Sequence, residues 1–287
     1  MLKTQNNIFN FKEIRAEQIW KIIFKLVCAG IGISFLLYSW IYGVVNLQEL
    51  YNDALIDGNT AYFYSNAYTY TQYYFSFFTI QTNIFCLLFF LIAGIWHNKE
   101  GKWKIISQDI ATPIAIYITI TALIFNSMLL PAMLSAGGVS ALDWIITEWE
   151  HGLFPILFVL YVILWMENRE SWDVKKFMKK KVYIYISYPL LWCIMAMIRG
   201  TLIGTFNEIS ETTSNPEYFN YFFLDVTTTT FGIPGYIWFL IAFVAVLSIL
   251  LGTGALYVHL QNLSLRLIDN NKGPYPSKSK KNIKLNS

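Results

Sequence analysis

Six side chains of this 287-residue chain combine suitable chemistry with suitable placement: Thr79, Asn83, Asn126, His151, Arg199 and Asp225. A threonine hydroxyl is a poor nucleophile until a base accepts its proton, and near neutral pH that base is a histidine. Of the three histidines, His97 and His259 fall at helix ends where the C-terminal dipole accounts for them, which leaves His151. Asn83, Asn126 and Arg199 offer donors that suit a carbonyl or a carboxylate, Arg199 through a bidentate grip, and Asp225 adds a polar group at the same level. The chemistry open to this set is acyl transfer through a hydroxyl nucleophile, with Thr79 and His151 as catalytic pair and the other four as substrate contacts. The same residue types also hydrogen-bond between helices with no reaction at all, and the sequence leaves both readings open.

Other chemistries lack their residues. There is no His-Glu-x-x-His, no Gly-x-Ser-x-Gly, no glycine-rich phosphate loop and no His/Cys group at metal-ligand spacing. Zinc protease, ordinary serine hydrolase and nucleotide-driven readings therefore lack support, and neither a metal nor a cofactor is expected. Cys28, Cys86 and Cys193 all lie in apolar runs and read as small buried hydrophobes. No lysine is expected in the apolar core, which removes a retinal-type Schiff base.

The elements that carry these residues are set by charge. Every Lys and Arg except Arg199 lies in the N-terminal twenty-five residues, the Asn98–Lys104 turn, the Arg169–Lys181 segment or the tail from Arg266. Apolar runs separate these from segments that hold acids and no base. The alternation predicts six membrane crossings, roughly Trp20–Leu47, Tyr73–His97, Ile106–Leu134, Trp149–Trp165, Val182–Ile203 and Phe231–Leu260. Lys and Arg are retained on the cytoplasmic side, which places both termini inside. The expected fold is an all-α polytopic protein of the cell membrane. It divides into a cytoplasmic N-terminal segment (1–19), a six-helix transmembrane domain (20–262) and a disordered basic cytoplasmic tail (263–287). The N-terminal segment lacks a small-residue cleavage site and is expected to stay attached.

Composition agrees, at 55% hydrophobic, 18% aromatic and 14% charged residues, with a mean hydropathy of +0.44. A compact soluble α-protein would not sort its charges by alternate loop. The formal charge of +3 is spread along the cytoplasmic flanks, which fits membrane lipids as partners and not nucleic acid. Oligomeric state is not legible in the sequence.

Depth then groups the polar residues. Gln72, Ser76, Thr79, Asn83 and Cys86 recur at spacings of four and three, one face of the second crossing, and such a stripe turns away from lipid. With that crossing running inward from Tyr73, Thr79 lies about 9 Å along the helix. Asn126 falls in the outer half of the third crossing, His151 opens the fourth, Arg199 nears the outer end of the fifth, and Asp225 precedes the sixth. All therefore share one depth beneath the outer surface, and a pocket is expected there. Ala245, Ser248, Gly252 and Ala255 in the last crossing are small residues at helical spacing and read as packing positions. Intramembrane charges and interrupted helices of the kind that mark transporters are nearly absent.

Several of these residues stand in recognisable motifs. Phe77-Phe78-Thr79-Ile80-Gln81-Thr82-Asn83 resembles the "FTIQSN" signature of a bacterial family of six-crossing membrane proteins. His151-Gly152-Leu153-Phe154-Pro155, Tyr188-Pro189 with Ile198-Arg199-Gly200, and Phe222-Phe223-Leu224-Asp225-Val226 are similar to that family's later elements, in the same order. The family is in turn distantly similar to the eukaryotic androgen-induced-protein-like intramembrane threonine hydrolases, which cleave fatty-acid esters of hydroxy fatty acids. That resemblance implies a lipid ester as substrate and puts the nucleophile on Thr79. The eukaryotic motif has two histidines around a glycine, the second catalytic. Here Phe154 stands in the second place, and His151 matches the first when the glycines are aligned, or approximately the second when Pro155 is aligned. The expectation is an integral membrane protein that hydrolyses lipid esters at an outer-leaflet site; the alternative is a non-catalytic lipid-binding or membrane-assembly protein with a structural polar core.

Overall fold

The computed structural model describes residues 16–56, 61–136, 140–206 and 218–271. The described chain is helical almost throughout, with one two-stranded hairpin. Six segments are long and apolar enough to cross a membrane: Gln18–Val45, Phe78–Ile95, Lys104–Leu129, Ala141–Trp165, Val182–Thr205 and Gly235–Ile268. The protein is an all-α polytopic membrane protein.

The first crossing is α1 (Ala16–Val45), followed by the short α2 (Leu47–Ile56) and α3 (Ala67–Ser76). The second is α4 (Phe78–Ile95). In the third, α5 (Gln108–Ile124) passes through a π turn at Phe125–Leu129 into α6 (Leu130–Ala136). The fourth joins α7 (Ala141–Glu148) to α8 (Phe154–Leu160) through a π turn at Trp149–Leu153 and ends in another at Tyr161–Trp165. After α9 (Val174–Lys180), the fifth crossing is α10 (Val182–Phe206). The hairpin of β1 (Thr229–Thr230) and β2 (Ile233–Pro234) leads into the sixth, α11 (Gly235–Asn271).

Three boundaries depart from the sequence reading. The polar stripe from Gln72 to Cys86 is not on one helix, because the chain breaks at Phe77, whose backbone is extended (φ −66°, ψ 136°). Side chains take the carbonyls freed there: Gln81 Nε2 donates to Phe75 O (3.0 Å) and Trp192 Nε1 to Ser76 O (2.9 Å). An unpaired carbonyl in an apolar surrounding is costly, so these two bonds make the break tolerable. Thr79 is consequently the second residue of α4 and not several turns down a helix begun at Tyr73. The sixth crossing starts at Gly235, because Phe231 and Gly232 both take positive φ (53° and 74°) and form the two-residue primed turn that suits a right-twisted hairpin. At its far end α11 runs on to Asn271, past the expected limit of the membrane domain at 262. The rest of the expected tail and the first fifteen residues lie outside the described residues.

The core forms where α1, α4, α5 and α8 meet. Phe90 packs edge-on against Phe154 and Tyr161, with centroids 5.9 and 5.2 Å apart, and all three are fully buried. At the end of the bundle that holds the basic segments, Lys25 corrects the expectation of a lysine-free core. It lies within the first crossing and is 0% exposed. Its ammonium has three donors and finds three acceptors: Ala93 O (2.7 Å), His97 Nδ1 (3.0 Å) and Glu100 Oε2. Tyr161 donates to Glu100 at 2.7 Å. Beside this cluster Lys21 pairs with Glu167 at 2.5 Å. His97 is thus part of a buried ion cluster joining α1, the turn after α4, and the fourth crossing, and not only a helix-end residue.

Proline explains two of the three π turns. Pro131 and Pro155 each stand two residues after such a turn. A proline has no N–H and its ring crowds the carbonyl four residues back, so the preceding turn widens. Leu130 N–H accordingly bonds Phe125 O and Phe154 N–H bonds Trp149 O, each five residues back instead of four. Pro189 inside α10 likewise leaves Tyr185 O without a helical donor, and the Tyr117 hydroxyl supplies one at 2.9 Å. The third π turn is closed by Arg169, which donates to the carbonyls of Ile163, Leu164 and Met166.

Candidate functional site

The π turn at Trp149–Leu153 turns Glu150 and His151 toward the bundle and leaves two carbonyls to be satisfied. Glu150 O loses the N–H of Phe154 to Trp149 O, and His151 O faces Pro155, which has none. Asn83 Nδ2 donates to Glu150 O at 3.3 Å, and Asn126 Nδ2 donates to His151 O at 3.0 Å. Each amide spends its second N–H on its own helix, Asn83 on Thr79 O (3.0 Å) and Asn126 on Ala122 O (2.8 Å). The two asparagines therefore brace the backbone that presents Glu150 and His151, and their donors are engaged there.

The His151 ring stacks on Phe125, with centroids 3.8 Å apart and 24° between planes. Its Nδ1 lies 3.0 Å from Thr147 O. A carbonyl only accepts, so Nδ1 carries the proton, and in the neutral ring Nε2 holds the lone pair. No hydrogen bond to Nε2 occurs among the described residues. These constraints fix the ring's plane and tautomer.

Thr79, the second residue of α4, lines the same cavity as His151. Its Oγ1 lies 3.4 Å from the Tyr221 hydroxyl, and no hydrogen bond joins it to His151 among the described residues. Burial pushes the Tyr221 phenol up, against the hydrogen bond from Thr79, so this hydroxyl keeps its proton and can donate. The cavity measures about 440 Å³, and its lining includes Thr79, Glu150, His151, Asn220 and Tyr221. Thr79 and Tyr221 also border a smaller apolar cavity of about 110 Å³ that extends along α10 and α11 past Trp192 and Phe239 to Leu250. A larger chamber that carries a few polar groups in a mostly apolar wall thus adjoins an apolar groove, with Thr79 in both linings.

The remaining sequence candidates occupy two places. Arg199 donates to Asn220 Oδ1, so it touches the chamber through a lining residue and not directly. Asn220 is fixed by donating to Ser76 Oγ at 2.9 Å. Gly200 makes this approach possible, since a Cβ there would fall 2.4 Å from the Phe219 ring. Asp225 accepts from Thr227 N–H (2.9 Å) and Thr227 Oγ1 (2.6 Å), which caps its own turn before the hairpin. The structure therefore brings Thr79 and His151 to one cavity and Asn83 and Asn126 to its scaffold. Arg199 stands at its rim, and Asp225 is engaged in a separate turn. Sequence reasoning did not single out Asn220 or Tyr221. Glu150 adjoins His151 and was legible as a cavity acid, whereas Tyr221 and Asn220 come from the segment before the hairpin, where no helical period announces a facing.

Among the described residues no three metal-ligating side chains come together. Compared with protein families, curated proteins and solved structures, the chain gives no match.

Proposed function

We propose that the protein hydrolyses a lipid ester within the membrane, with Thr79 as nucleophile and His151 as base. One observation carries the reading: a threonine hydroxyl and an imidazole of fixed tautomer line a single chamber that opens into an apolar groove. An acyl chain in the groove brings its ester carbonyl to Thr79. Thr79 Oγ1 bonds to the carbonyl carbon while its proton passes to His151 Nε2, directly or through one water. The Tyr221 hydroxyl donates to the oxygen that becomes negative. Breaking the C–O bond releases the alcohol, which takes the proton from His151. Water deprotonated by the same imidazole then cleaves the acyl-threonine and releases the fatty acid. With both termini cytoplasmic, the chamber belongs to the outer leaflet of the cell membrane, and the resemblance to threonine hydrolases points the same way.

The test uses the purified protein in lipid nanodiscs with a long-chain nitrophenyl ester and a fluorophosphonate probe. Thr79→Ala and His151→Ala are each expected to lower turnover by about 10³-fold, with the double variant no slower than either single one. A wild-type rate in Thr79→Ala removes the reading. A second reading, lipid binding without reaction, is favoured by the Thr79 partner being a phenol and not an imidazole. It predicts lipid retention with no turnover by the wild type.

A further inference from the structure

Arg199 is the one Lys or Arg between Lys181 and Arg266. It sits in α10 at the end of the bundle opposite the basic segments, half-buried. Its guanidinium carries five N–H groups, and the described protein answers with one side-chain acceptor, Asn220 Oδ1. The Phe63 and Tyr73 rings flank it, with centroids 5.7 and 5.9 Å away. Among the described residues its Nε is buried without a partner. The ion pairs among the described residues all lie elsewhere. A cation partly withdrawn from water is stabilised by a counter-charge, and ring faces offset only part of the cost of its burial.

We propose that Arg199 anchors an anion site that takes the carboxylate or phosphate of an acyl-chain lipid. The planar fork of a guanidinium matches either oxyanion through paired hydrogen bonds. Asn220 belongs both to this site and to the wall of the chamber, whose other lining includes Phe77, Met128, Leu129 and Phe222. An inorganic anion gains nothing from those apolar walls, whereas a lipid satisfies the cation with its head and fills the chamber with its chain. The proposal concerns binding alone and holds whether or not Thr79 reacts.

The full chain, purified in a neutral maltoside detergent, is titrated with oleate, dioleoyl-phosphatidylglycerol and dioleoyl-phosphatidylcholine, and retained lipid is read by native mass spectrometry. The wild type is expected to hold oleate or the phosphatidylglycerol about tenfold more tightly than the zwitterionic lipid, and the tighter of the two identifies carboxylate or phosphate as the head group. Arg199→Gln removes the preference. So does Asn220→Asp, which keeps the side chain's shape and supplies the guanidinium with an internal carboxylate, so a folding loss in the first variant does not decide the matter. Thr79→Ala keeps the preference, which separates this site from the proposed reaction. Equal retention of phosphatidylcholine by the wild type overturns the proposal, as does a full preference in both Arg199→Gln and Asn220→Asp. A preference that emerges only in Glu217→Gln overturns it too, since an acid of the chain itself would then be neutralising Arg199.

Discussion

Asn126 on the third crossing donates its side-chain amide to the carbonyl of His151 on the fourth, 3.0 Å away, at the position where Pro155 withholds the helical N–H. A polar residue on one helix thus completes a backbone defect on its neighbour. The same relation joins Asn83 to Glu150 O and Tyr117 to Tyr185 O. Three of the polar side chains within the bundle thus answer carbonyls that the prolines and their wide turns leave free.

This relation gives a double-mutant cycle. Asn126→Leu leaves His151 O unpaired and is expected to destabilise the protein by about 1–3 kcal/mol. Pro155→Ala restores a backbone donor, so Asn126→Leu combined with Pro155→Ala should cost less than Asn126→Leu alone. Thermal unfolding in detergent measures both. Additive losses would show that the amide and the proline act independently.

The buried cluster around Lys25 makes stability depend on acid. Burial opposes the Glu100 carboxylate, but the adjacent His97 ring, the charge and hydrogen bond of Lys25 and the Tyr161 hydroxyl together hold its carboxyl below the ordinary range. A carboxyl depressed by folding stabilises fully above its unfolded value, about 4.3, and loses that contribution as pH falls through the folded value. The difference in unfolding temperature between wild type and Glu100→Gln should therefore be constant from about pH 7 to about pH 5 and shrink below about pH 4. A difference that grows on acidification would reverse the sign and refute the assignment.

Removing the cation alone is the harsher change. Lys25→Met leaves Glu100 charged and buried, with an expected loss of about 3–5 kcal/mol, and adding Glu100→Gln should recover part of it. Chemical denaturation of the two variants at neutral pH compares them. Recovery of nothing would mean that Lys25 acts through packing and not charge.

Orientation is tested by labelling. The proposed orientation, with both termini cytoplasmic, puts a cysteine at Ser140 outside and one at Lys176 inside, and both native residues are exposed. In a background with Cys28, Cys86 and Cys193 replaced by Ala, an impermeant maleimide applied to intact cells should label Ser140→Cys and spare Lys176→Cys. The reverse pattern would turn the chamber to the inner leaflet.

How much of this was legible follows residue by residue. Charge alternation located all six crossings, because a chain in lipid must hide every backbone polar group in long helices. It misjudged Lys25, since a lysine near the end of an apolar run normally snorkels to water, and nothing local shows that Glu100, seventy-five positions later, returns to meet it. Spacing found Thr79 and Asn83 but carried one helix through Phe77, because the side chains that tolerate the break are Gln81 and the distant Trp192. Depth grouped Asn126 with His151 correctly as neighbours. Depth cannot say whether an amide faces a cavity or a carbonyl; that follows only from reading Pro155 against the residue four places before it.

In terms of helical phase, the π turn at Trp149–Leu153 is one residue more than an α-helix needs. Deleting Gly152 together with Pro155→Ala would let the fourth crossing run on with regular geometry, and no hydrogen bond would be lost from the helix itself. The helices on either side would keep their phase, since the wide turn absorbs the extra residue, and only the residues within it would swing, by up to about the 100° that one residue advances an α-helix. Glu150 and His151 would leave the chamber while α8 kept its packing against Phe90. A length difference of a single residue between otherwise similar chains would therefore separate those that own this chamber from those that own only the bundle.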